Sequence, residues 1–385
     1  MRKNISILGS TGSIGLQTLD VISSFPNRFR IIGLAAKDNL ALLAEQVKKY
    51  SPKIVSVDTE ASAELLQEKL GKTQTVVYFG GEGLLKVSTH KDVDMVIVAI
   101  PGSAGIVPTI EAIKLKKNIA LASKEVLVAA GDIIMKEVSK KKIQLSPIDS
   151  EHSGITQCLK GEDPSKIKRV ILTASGGPFL SLSKDKLSKV SVNEALAHPK
   201  WRMGDKISVD SSTLMNKGFE VIEAHHLFGL DYSKIDVVIH PQSMIHSFVE
   251  FIDGSLIAQI SAPDMRIPIQ YALLDGERIQ NKFDLINLSK LGELSFEAPD
   301  RDKFPCLDFA YSAGRRGGTL PAVLNAANNE AVKLFLEGKI KFTDIPVLIR
   351  QAMDKHFNTS EPNLEDILAA DLWAKKEIIT SVALP

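Results

Sequence analysis

Short apolar runs and amphipathic stretches alternate along the first 150 residues of the chain. The runs are almost continuously hydrophobic, as in the strands of a parallel sheet that is covered on both faces. The stretches between them carry apolar residues at the three-to-four spacing of a helix. Strands are predicted at 5–8, 29–36, 54–57, 75–79, 95–100 and 119–122, with helices at 39–50 and 60–70 among them. This alternation predicts an α/β fold that begins with a parallel sheet.

The pattern changes after residue 150, where strands follow one another with few helices between them. Two helices are predicted here, at 151–160 and 214–228. Asp253 and Gly254 form a hairpin signal between the last two strands. The strands of this region are predicted at 168–174, 235–240, 247–252 and 255–261. We expect a central α+β domain with a partly antiparallel sheet.

A helical period dominates the last part of the chain, from Leu307 onward. It predicts helices at 320–337, 343–356 and 363–380, which together indicate a C-terminal helical bundle. Residues 275–305 carry scattered glycine, proline and charge, and are interpreted as a connecting segment.

Composition excludes several classes of protein. The chain is 44% hydrophobic and 24% charged, which is typical of a folded globular protein and not of a disordered one. Its formal net charge of +1 gives no field that would attract nucleic acid or a membrane surface, and we expect neither as a partner. The most apolar run, residues 96–100, is far too short to span a bilayer. Two cysteines, Cys158 and Cys306, cannot build a disulfide framework, and Gly9 interrupts any signal-peptide core, so a cytoplasmic location is expected.

Glycines at positions 9, 12 and 15 form a loop directly after the first predicted strand and before a helical pattern. Such a loop allows a tight turn and close approach of the backbone to a pyrophosphate, which the helix N-terminus then binds. This favours a Rossmann-type dinucleotide site. The alternative is a glycine-rich turn that only packs the strand on the helix.

The end of the second predicted strand bears on the choice of dinucleotide. NAD-binding folds usually place a carboxylate there, whereas this chain has Ala36 followed by Lys37. A lysine favours the 2′-phosphate of NADP, although the adjacent Asp38 weakens that inference. The alternative is that Lys37 is a solvated loop charge.

Two further polar segments offer carboxylates and a lysine. Lys124 follows a predicted strand, where a doubly wound sheet binds ligands, and can contact a substrate oxygen; alternatively it forms a surface pair with Glu125. Asp149 and Glu151 are two residues apart, so in an extended segment they would point the same way and suit a hard divalent cation. The alternative is a helix start, with Asp149 or Ser150 as the N-cap.

The densest polar run lies between residues 198 and 220. Ser211, Asn216 and Lys217 offer a hydroxyl, an amide and an ammonium to a phosphate, and Glu220 shares a helix face with the last two. Glu220 would add a third carboxylate to Asp149 and Glu151.

Residues outside that face suggest further contacts. Ser175 precedes two glycines and favours an oxyanion-binding turn. Trp201 is interpreted as a residue that closes over a substrate, or as a core anchor. His198, before a proline, is a substrate contact or a structural histidine.

Six strings in this order resemble the 1-deoxy-D-xylulose 5-phosphate reductoisomerase family: GSTGSIG, ASKE, PIDSEHS, SGGPF, HPKWRMGDKISVDSSTLMNKGFEVIEA and PDMRIP. The resemblance covers essentially the whole chain. It implies a homodimer of three-domain subunits, and an NADPH- and metal-dependent enzyme of the non-mevalonate isoprenoid route. The implied regions are an NADPH-binding domain at 1–150, a catalytic domain at 151–274 with a flap near 198–204, a connecting segment at 275–305 and a helical domain at 306–385.

The resemblance also assigns residues to ligands. For NADPH these are Thr11, Gly12, Ser13, Ile14, Lys37, Asn39, Ser123, Glu125, Gly204 and Met265, with Ser123 where the family commonly has asparagine. For Mg²⁺ or Mn²⁺ they are Asp149, Glu151 and Glu220. For the sugar phosphate they are Lys124, Ser150, Ser175, His198, Ser211, Asn216 and Lys217. The metal ligands Glu151 and Glu220 and the loop residue Trp201 are expected to contact the same substrate.

The implied reaction converts 1-deoxy-D-xylulose 5-phosphate to 2-C-methyl-D-erythritol 4-phosphate. The carbon skeleton is rearranged by retro-aldol cleavage and re-aldolisation, and the resulting aldehyde is reduced by hydride from NADPH. Lys124, Glu151 and a metal-bound water all remain candidates for proton transfer.

Without the family resemblance, the sequence motifs are compatible with two other functions. A semialdehyde dehydrogenase shares the glycine loop but needs a cysteine nucleophile, and neither cysteine has an activating sequence context. A nucleotide-sensing protein would keep the glycines and have no need of Asp149, Glu151 and Glu220 together.

Overall fold

A computed structural model describes residues 2–197, 204–283 and 285–383. Up to residue 158, strands and helices alternate as the pattern predicts. The strands are β1 (Lys3–Leu8), β2 (Phe29–Ala35), β3 (Ile54–Val57), β4 (Val76–Phe79), β5 (Met95–Val98), β6 (Asn118–Leu121) and β7 (Leu145–Pro147). The helices are α1 (Ser13–Ser24), α2 (Leu40–Tyr50), α3 (Glu60–Leu70), α4 (Gly80–Thr89), α5 (Ile106–Lys114), α6 (Lys124–Lys141) and α7 (Ser150–Cys158).

The first seven strands form one parallel sheet in the order β4-β3-β2-β1-β5-β6-β7. All four residues of β5 are buried, as are the last four of β1, because helices cover both faces of the sheet. The strand order reverses between β1 and β5. In such sheets, ligands bind beside the carboxyl ends of the strands at this reversal. The loop after β1 therefore lies where a dinucleotide is expected.

Among its described residues, the chain from residue 167 to residue 273 contains a second sheet and four α-helices. The strands are β8 (Ile167–Ala174), β9 (Ile235–Ile239), β10 (Ile245–Phe251) and β11 (Leu256–Ile260). The helices are α8 (Val192–Leu196), α9 (Asp205–Ser212), α10 (Met215–Phe228) and α11 (Arg266–Leu273). The strand order is β11-β10-β8-β9, with β8 and β9 parallel and the other pairs antiparallel. Gly254 has φ +87° in the turn between β10 and β11, which confirms the predicted hairpin.

Four helices end the described chain: α12 (Cys306–Arg316), α13 (Leu320–Leu336), α14 (Asp344–Lys355) and α15 (Leu364–Ala383). Their apolar faces share a hydrophobic core with the second sheet and with α10, in which Phe219, Leu307 and Val323 are buried. The predicted fold class is therefore confirmed: a parallel Rossmann-type sheet, a central α+β region and C-terminal helices. None of the helices within the described residues has the length and apolar character needed to cross a lipid bilayer.

Contacts divide the chain into two compact units. The first contains residues 1–126, 134–153 and 264–283, and the second contains 127–133, 154–263 and 284–385. Each unit has its own hydrophobic core. The predicted catalytic region ends at residue 274, whereas 264–283 belong to the first compact unit. The three functional domains remain a prediction, since compactness does not assign function.

The His226 side chain of α10 is 10% exposed and packs against Gly131 within the second unit, where an added Cβ would lie 2.2 Å from the imidazole ring. Burial lowers the pKa of His226 to about 4, and the nearby Asp132 opposes this shift only in part. In the unfolded chain this histidine has its ordinary pKa near 6.5. The unfolded chain therefore binds a proton at higher pH than the folded chain does. The neutral His226 therefore makes its full contribution to the free energy of unfolding above pH 6.5. This contribution is lost as the pH falls toward 4.

We expect the free energy of unfolding to fall by about 2 kcal/mol between pH 7 and pH 5 through His226 alone. Replacing the imidazole by the uncharged amide of His226→Gln should remove this part of the pH dependence. Urea unfolding of both proteins at pH 7, 6 and 5 measures it. Parallel pH profiles for the two proteins would contradict the assignment.

Candidate functional site

The glycine loop connects β1 to the N-terminus of α1, as predicted. Gly9 has φ +93°, and an added Cβ there would lie 2.2 Å from the Ala99 carbonyl oxygen. A Cβ on Gly15 would lie 2.2 Å from the Gly9 carbonyl oxygen, so the first turn of α1 packs directly on the loop. Buried Gln46 fixes the loop by accepting from the Ser10 hydroxyl at 2.7 Å and donating to the Ser10 carbonyl at 2.9 Å.

The residues predicted to contact NADPH in this loop lie around the N-terminus of α1. Gly12 is the N-cap and Ser13 begins the helix, while no side chain caps the first turn. The N–H groups at this end and the helix dipole thus provide an anion site. Thr11 precedes Gly12 in the loop, and Ile14 follows Ser13 in the first turn of α1.

Lys37 and Asn39 follow the end of β2, as the sequence indicated. Lys37 is exposed, and Asn39 caps α2 by accepting the Leu42 N–H at 3.2 Å. Ser123 lies at the start of α6, where its hydroxyl donates to the carbonyl of Ile100 at 2.6 Å. A serine here is thus held by the backbone next to β5, and Glu125, in the first turn of α6, is buried.

Lys124, Asp149, Ser150 and Glu151 all belong to the first compact unit. The Lys124 ammonium is hydrogen-bonded to the Asp149 carboxylate, and Lys124 is buried, so the alternative of a surface Lys124–Glu125 pair is wrong. Ser150 donates to the Glu151 carboxylate at 2.6 Å.

The assumption of an extended segment at Asp149–Glu151 is also wrong. Ser150 begins α7, and Asp149 Oδ1 accepts the Glu151 backbone N–H at 3.2 Å. The alternative of a helix start is therefore confirmed. The carboxylates of Asp149 and Glu151 lie at the N-terminus of a helix, whose dipole favours negative charge.

In the second unit, the segments of two residues that were predicted to contact a phosphate, Ser175 and Ser211, pack together. Ser175 follows β8, and its hydroxyl accepts the Gly177 N–H at 3.2 Å. Gly176 and Gly177 have φ +82° and +68°, and a Cβ on Gly177 would lie 2.8 Å from the carbonyl oxygen of Ser211. The turn at Ser175 therefore packs against the backbone of α9 at Ser211, which brings these two predicted phosphate ligands into one neighbourhood.

Asn216, Lys217 and Glu220 lie on one face of α10, as their spacing predicts. Asn216 Nδ2 donates to Glu220 Oε1 at 2.7 Å, and the Lys217 ammonium donates to Glu220 Oε2. Glu220 is 1% exposed and Lys217 is 4% exposed, so this ion pair is taken out of bulk water. Leu214, with φ +61°, makes the sharp turn between α9 and α10, a conformation that few non-glycine residues adopt.

The other predicted contacts have separate outcomes. Gly204 is the exposed N-cap of α9, and Met265 is the N-cap of α11, where it packs on the core of the first unit. His198 and Trp201 lie outside the described residues.

Neither cysteine supports the semialdehyde dehydrogenase alternative. Burial raises the pKa of the Cys158 thiol to about 11 and that of Cys306 to about 12. A nucleophilic cysteine needs a lowered pKa, because the thiolate is the reactive form. Both side chains are core residues.

Sequence reasoning did not identify Lys303 and Asp210, which contact the phosphate-site segments. The Lys303 ammonium donates to the carbonyls of Phe179 and Leu180 at 2.8 and 2.9 Å, just after the glycine turn. Asp210 is buried beside Ser211. Asp210 lies in the densest polar run of the sequence, and this position could have identified it as a candidate site residue. No motif near Lys303 indicates a role for that residue.

Family models match three parts of the chain. The model described as 1-deoxy-D-xylulose 5-phosphate reductoisomerase matches residues 5–131. The 1-deoxy-D-xylulose 5-phosphate reductoisomerase C-terminal domain matches 145–228, and the DXP reductoisomerase C-terminal domain matches 260–377.

Curated relatives carry the same name. The protein of Microcystis aeruginosa is 51% identical over 380 residues, which are 98% of this chain and 97% of the relative. That of Pelotomaculum thermopropionicum is 51% identical over 374 residues, 97% of each chain.

Solved structures are similar over the same length. The 1-deoxy-D-xylulose 5-phosphate reductoisomerase of Zymomonas mobilis in complex with NADPH has a TM-score of 0.93 and 38% identity, covering 100% of both chains. A DOX-P reductoisomerase in complex with NADPH, fosmidomycin and magnesium has a TM-score of 0.94 and 40% identity, covering 99% of this chain and 98% of that one.

Proposed function

Because this chain belongs to the 1-deoxy-D-xylulose 5-phosphate reductoisomerase family, we propose how its residues divide the work of the family reaction. The protein is an NADPH- and Mg²⁺-dependent oxidoreductase that converts 1-deoxy-D-xylulose 5-phosphate to 2-C-methyl-D-erythritol 4-phosphate in isoprenoid biosynthesis. The roles of individual residues are the proposal, and Mn²⁺ is proposed as an alternative metal.

NADPH binds along the carboxyl ends of the first sheet. The N-terminus of α1, with Thr11, Gly12, Ser13 and Ile14, takes the pyrophosphate. Lys37 and Asn39 lie at the end of β2 for the 2′-phosphate, and Ser123, Glu125, Gly204 and Met265 complete the contacts. The N-terminus of α1 supports this role, because no side chain caps the N–H groups of its first turn, and such groups are typical ligands of a large anion.

Lys37 gives a prediction of cofactor choice. Lys37→Ala should raise the KM for NADPH by about tenfold and leave that for NADH nearly unchanged, since only NADPH carries the 2′-phosphate. Steady-state kinetics with both cofactors measure this. Lys48→Ala removes another exposed lysine, on α2, and serves as the control. An unchanged KM for NADPH in Lys37→Ala would contradict the assignment.

Asp149, Glu151 and Glu220 are proposed to hold one Mg²⁺ or Mn²⁺. Their carboxylate oxygens are the donors that these hard cations prefer, and Asp149 and Glu220 are each charge-balanced by a lysine in the protein. A bound divalent cation acts as a Lewis acid that stabilises negative charge on substrate oxygens.

The substrate phosphate is proposed to bind Ser175, Ser211, Asn216 and Lys217. The single observation that carries this part is the α10 face, where Asn216 and Lys217 both donate to buried Glu220. One rigid helix face thus presents phosphate donors and a metal ligand together, which aligns the reacting carbons with the metal. Lys124, Ser150, His198 and Trp201 are proposed to contact the rest of the sugar.

Lys124 is proposed to orient and protonate substrate oxygens, because its ammonium is buried and paired with the metal ligand Asp149. Glu151 remains an alternative group for proton transfer. NADPH supplies the hydride that reduces the intermediate aldehyde. The phosphate contacts supply binding energy remote from the reacting bonds, which holds the fragments during carbon–carbon cleavage and rejoining.

Oxidation of NADPH at 340 nm tests the proposal, with the purified protein and 1-deoxy-D-xylulose 5-phosphate. We expect absorbance loss with Mg²⁺ or Mn²⁺ and none after chelation with EDTA. Turnover that survives complete chelation would contradict the metal-dependent assignment.

A homodimer is proposed to form at the edge of the second sheet. β11 is the terminal strand of that sheet, and its apolar side chains Leu256, Ile257 and Ile260 are 51%, 37% and 41% exposed. Exposed apolar edge strands pair readily with a second chain.

Ile257→Lys should shift the sedimentation coefficient from that of two chains to that of one. Val347→Lys, at a 53% exposed apolar residue of α14, is the control and should leave the dimer intact. Sedimentation of Ile257→Lys as a dimer would place the interface elsewhere.

A cytoplasmic location is also proposed, since both cysteines are free thiols.

A further inference from the structure

Asp210 of α9 is a buried carboxylate in the second unit, with 1% of its surface exposed. The Lys206 ammonium, one turn earlier on α9, lies 2.7 Å from it. Asn328 of α13 donates from Nδ2 to Asp210 Oδ1 at 2.8 Å, across 118 residues of sequence. Asn328 is itself fully buried. Asp210 therefore connects the helix that carries Ser211 to a C-terminal helix.

A buried charge of this kind is costly unless each oxygen is satisfied, and it often specifies one arrangement more than it adds stability. Here the arrangement involves three helices, because the Lys206 ammonium also lies 4.9 Å from the centre of the Phe219 ring of α10. The Asn328–Asp210 hydrogen bond therefore links α13 to α9 by a directional contact, which tolerates less sliding than apolar packing does.

Ser211 directly follows Asp210, so a shift of α9 moves its hydroxyl. The same shift would move the Ser175 turn, because Gly177 packs on the Ser211 carbonyl at a distance that leaves no room for a side chain. We infer that Asp210 and Asn328 are positioning residues that hold Ser211 and the Ser175 turn in register to bind the substrate phosphate. This inference rests on the proposed phosphate site.

Asn328→Ala tests the inference, with Asn325→Ala as the matched control. Asn325 lies on the same helix and is equally buried, but its side chain accepts from Asn329 instead of bonding to α9. We expect both variants to lose thermal stability. Only Asn328→Ala should raise the KM for 1-deoxy-D-xylulose 5-phosphate, by about tenfold, with the KM for NADPH unchanged and kcat within about twofold.

A combined variant shows whether the effect passes through the two positioned hydroxyls. Ser175→Ala with Ser211→Ala should raise the substrate KM, and adding Asn328→Ala to this pair should raise it little further, since both groups being positioned are already gone. Additive increases would overturn the inference. The exchanged pair Asp210→Asn with Asn328→Asp restores a hydrogen bond between the two positions, and should recover part of the lost substrate affinity.

The outcomes separate the two hypotheses. If Ser211→Ala raises the substrate KM and Asn328→Ala behaves like Asn325→Ala, the phosphate site stands and the positioning role is wrong. If Ser211→Ala leaves the substrate KM unchanged, Ser211 is not a phosphate ligand, and the proposed site fails at that residue together with the positioning role. If Asn328→Ala does not fold, the exchanged pair decides, and a folded exchanged pair without recovered affinity overturns the inference.

Discussion

Glu220→Gln should lower kcat by roughly three orders of magnitude. The amide keeps the shape of the side chain but removes one of the three carboxylates proposed to hold the metal. It also presents an N–H donor where Glu220 now accepts from Asn216 and the Lys217 ammonium. The loss should therefore appear as a higher Mn²⁺ concentration for half-maximal activity as well as slower turnover, measured by NADPH oxidation across a Mn²⁺ titration.

Glu330→Gln is the matched control for that experiment. Glu330 is a buried glutamate of α13 that pairs with Lys333 at 3.0 Å, three residues away, as Glu220 pairs with Lys217. Its replacement should cost stability without changing the Mn²⁺ concentration for half-maximal activity. A Glu220→Gln enzyme with near-wild-type turnover and ordinary Mn²⁺ dependence would remove Glu220 from the site.

Lys217→Ala should raise the KM for the sugar phosphate by about fiftyfold or more, with a smaller fall in kcat. Lys217 is 4% exposed, so a substrate phosphate that reaches its ammonium is shielded from water and loses a strong charge-assisted contact in the variant. Steady-state kinetics with varied 1-deoxy-D-xylulose 5-phosphate at saturating NADPH measure the change.

The same substitution leaves Glu220 without its cation, so a general loss of stability must be separated from a loss of binding. Lys375→Ala removes the cation paired with buried Asp371 on α15 and provides that comparison. The KM of Lys375→Ala should match that of the wild type. An equal KM in Lys217→Ala and Lys375→Ala would contradict the phosphate contact.

Much of the fold could be predicted because the strands are buried and continuously apolar. The predicted bounds of 54–57 and 60–70 agree with β3 and α3. The pattern gave no helix at α4, Gly80–Thr89, because three glycines and two β-branched residues weaken its helical signal. Packing against the first sheet makes that segment helical in spite of its composition.

The site was predictable where chemistry follows from spacing along one element. Asn216, Lys217 and Glu220 share a helix face because they lie three and four residues apart, and α10 confirms it. Asp149 and Glu151 show the limit of this reasoning. Side chains two residues apart point the same way in a strand, but they point in different directions at a helix N-terminus. Partners distant in sequence, such as Asp210 and Asn328, leave no local pattern, and only the tertiary structure brings them together.

Binding of Mn²⁺ to the purified protein, followed by the electron paramagnetic resonance signal of the free ion, tests most directly the claim that three carboxylates hold one metal ion. The wild-type protein should bind one Mn²⁺ per chain, and Asp149→Asn, Glu151→Gln and Glu220→Gln should each weaken that binding by at least about tenfold. Unchanged stoichiometry and affinity in the three variants would contradict the three-carboxylate site.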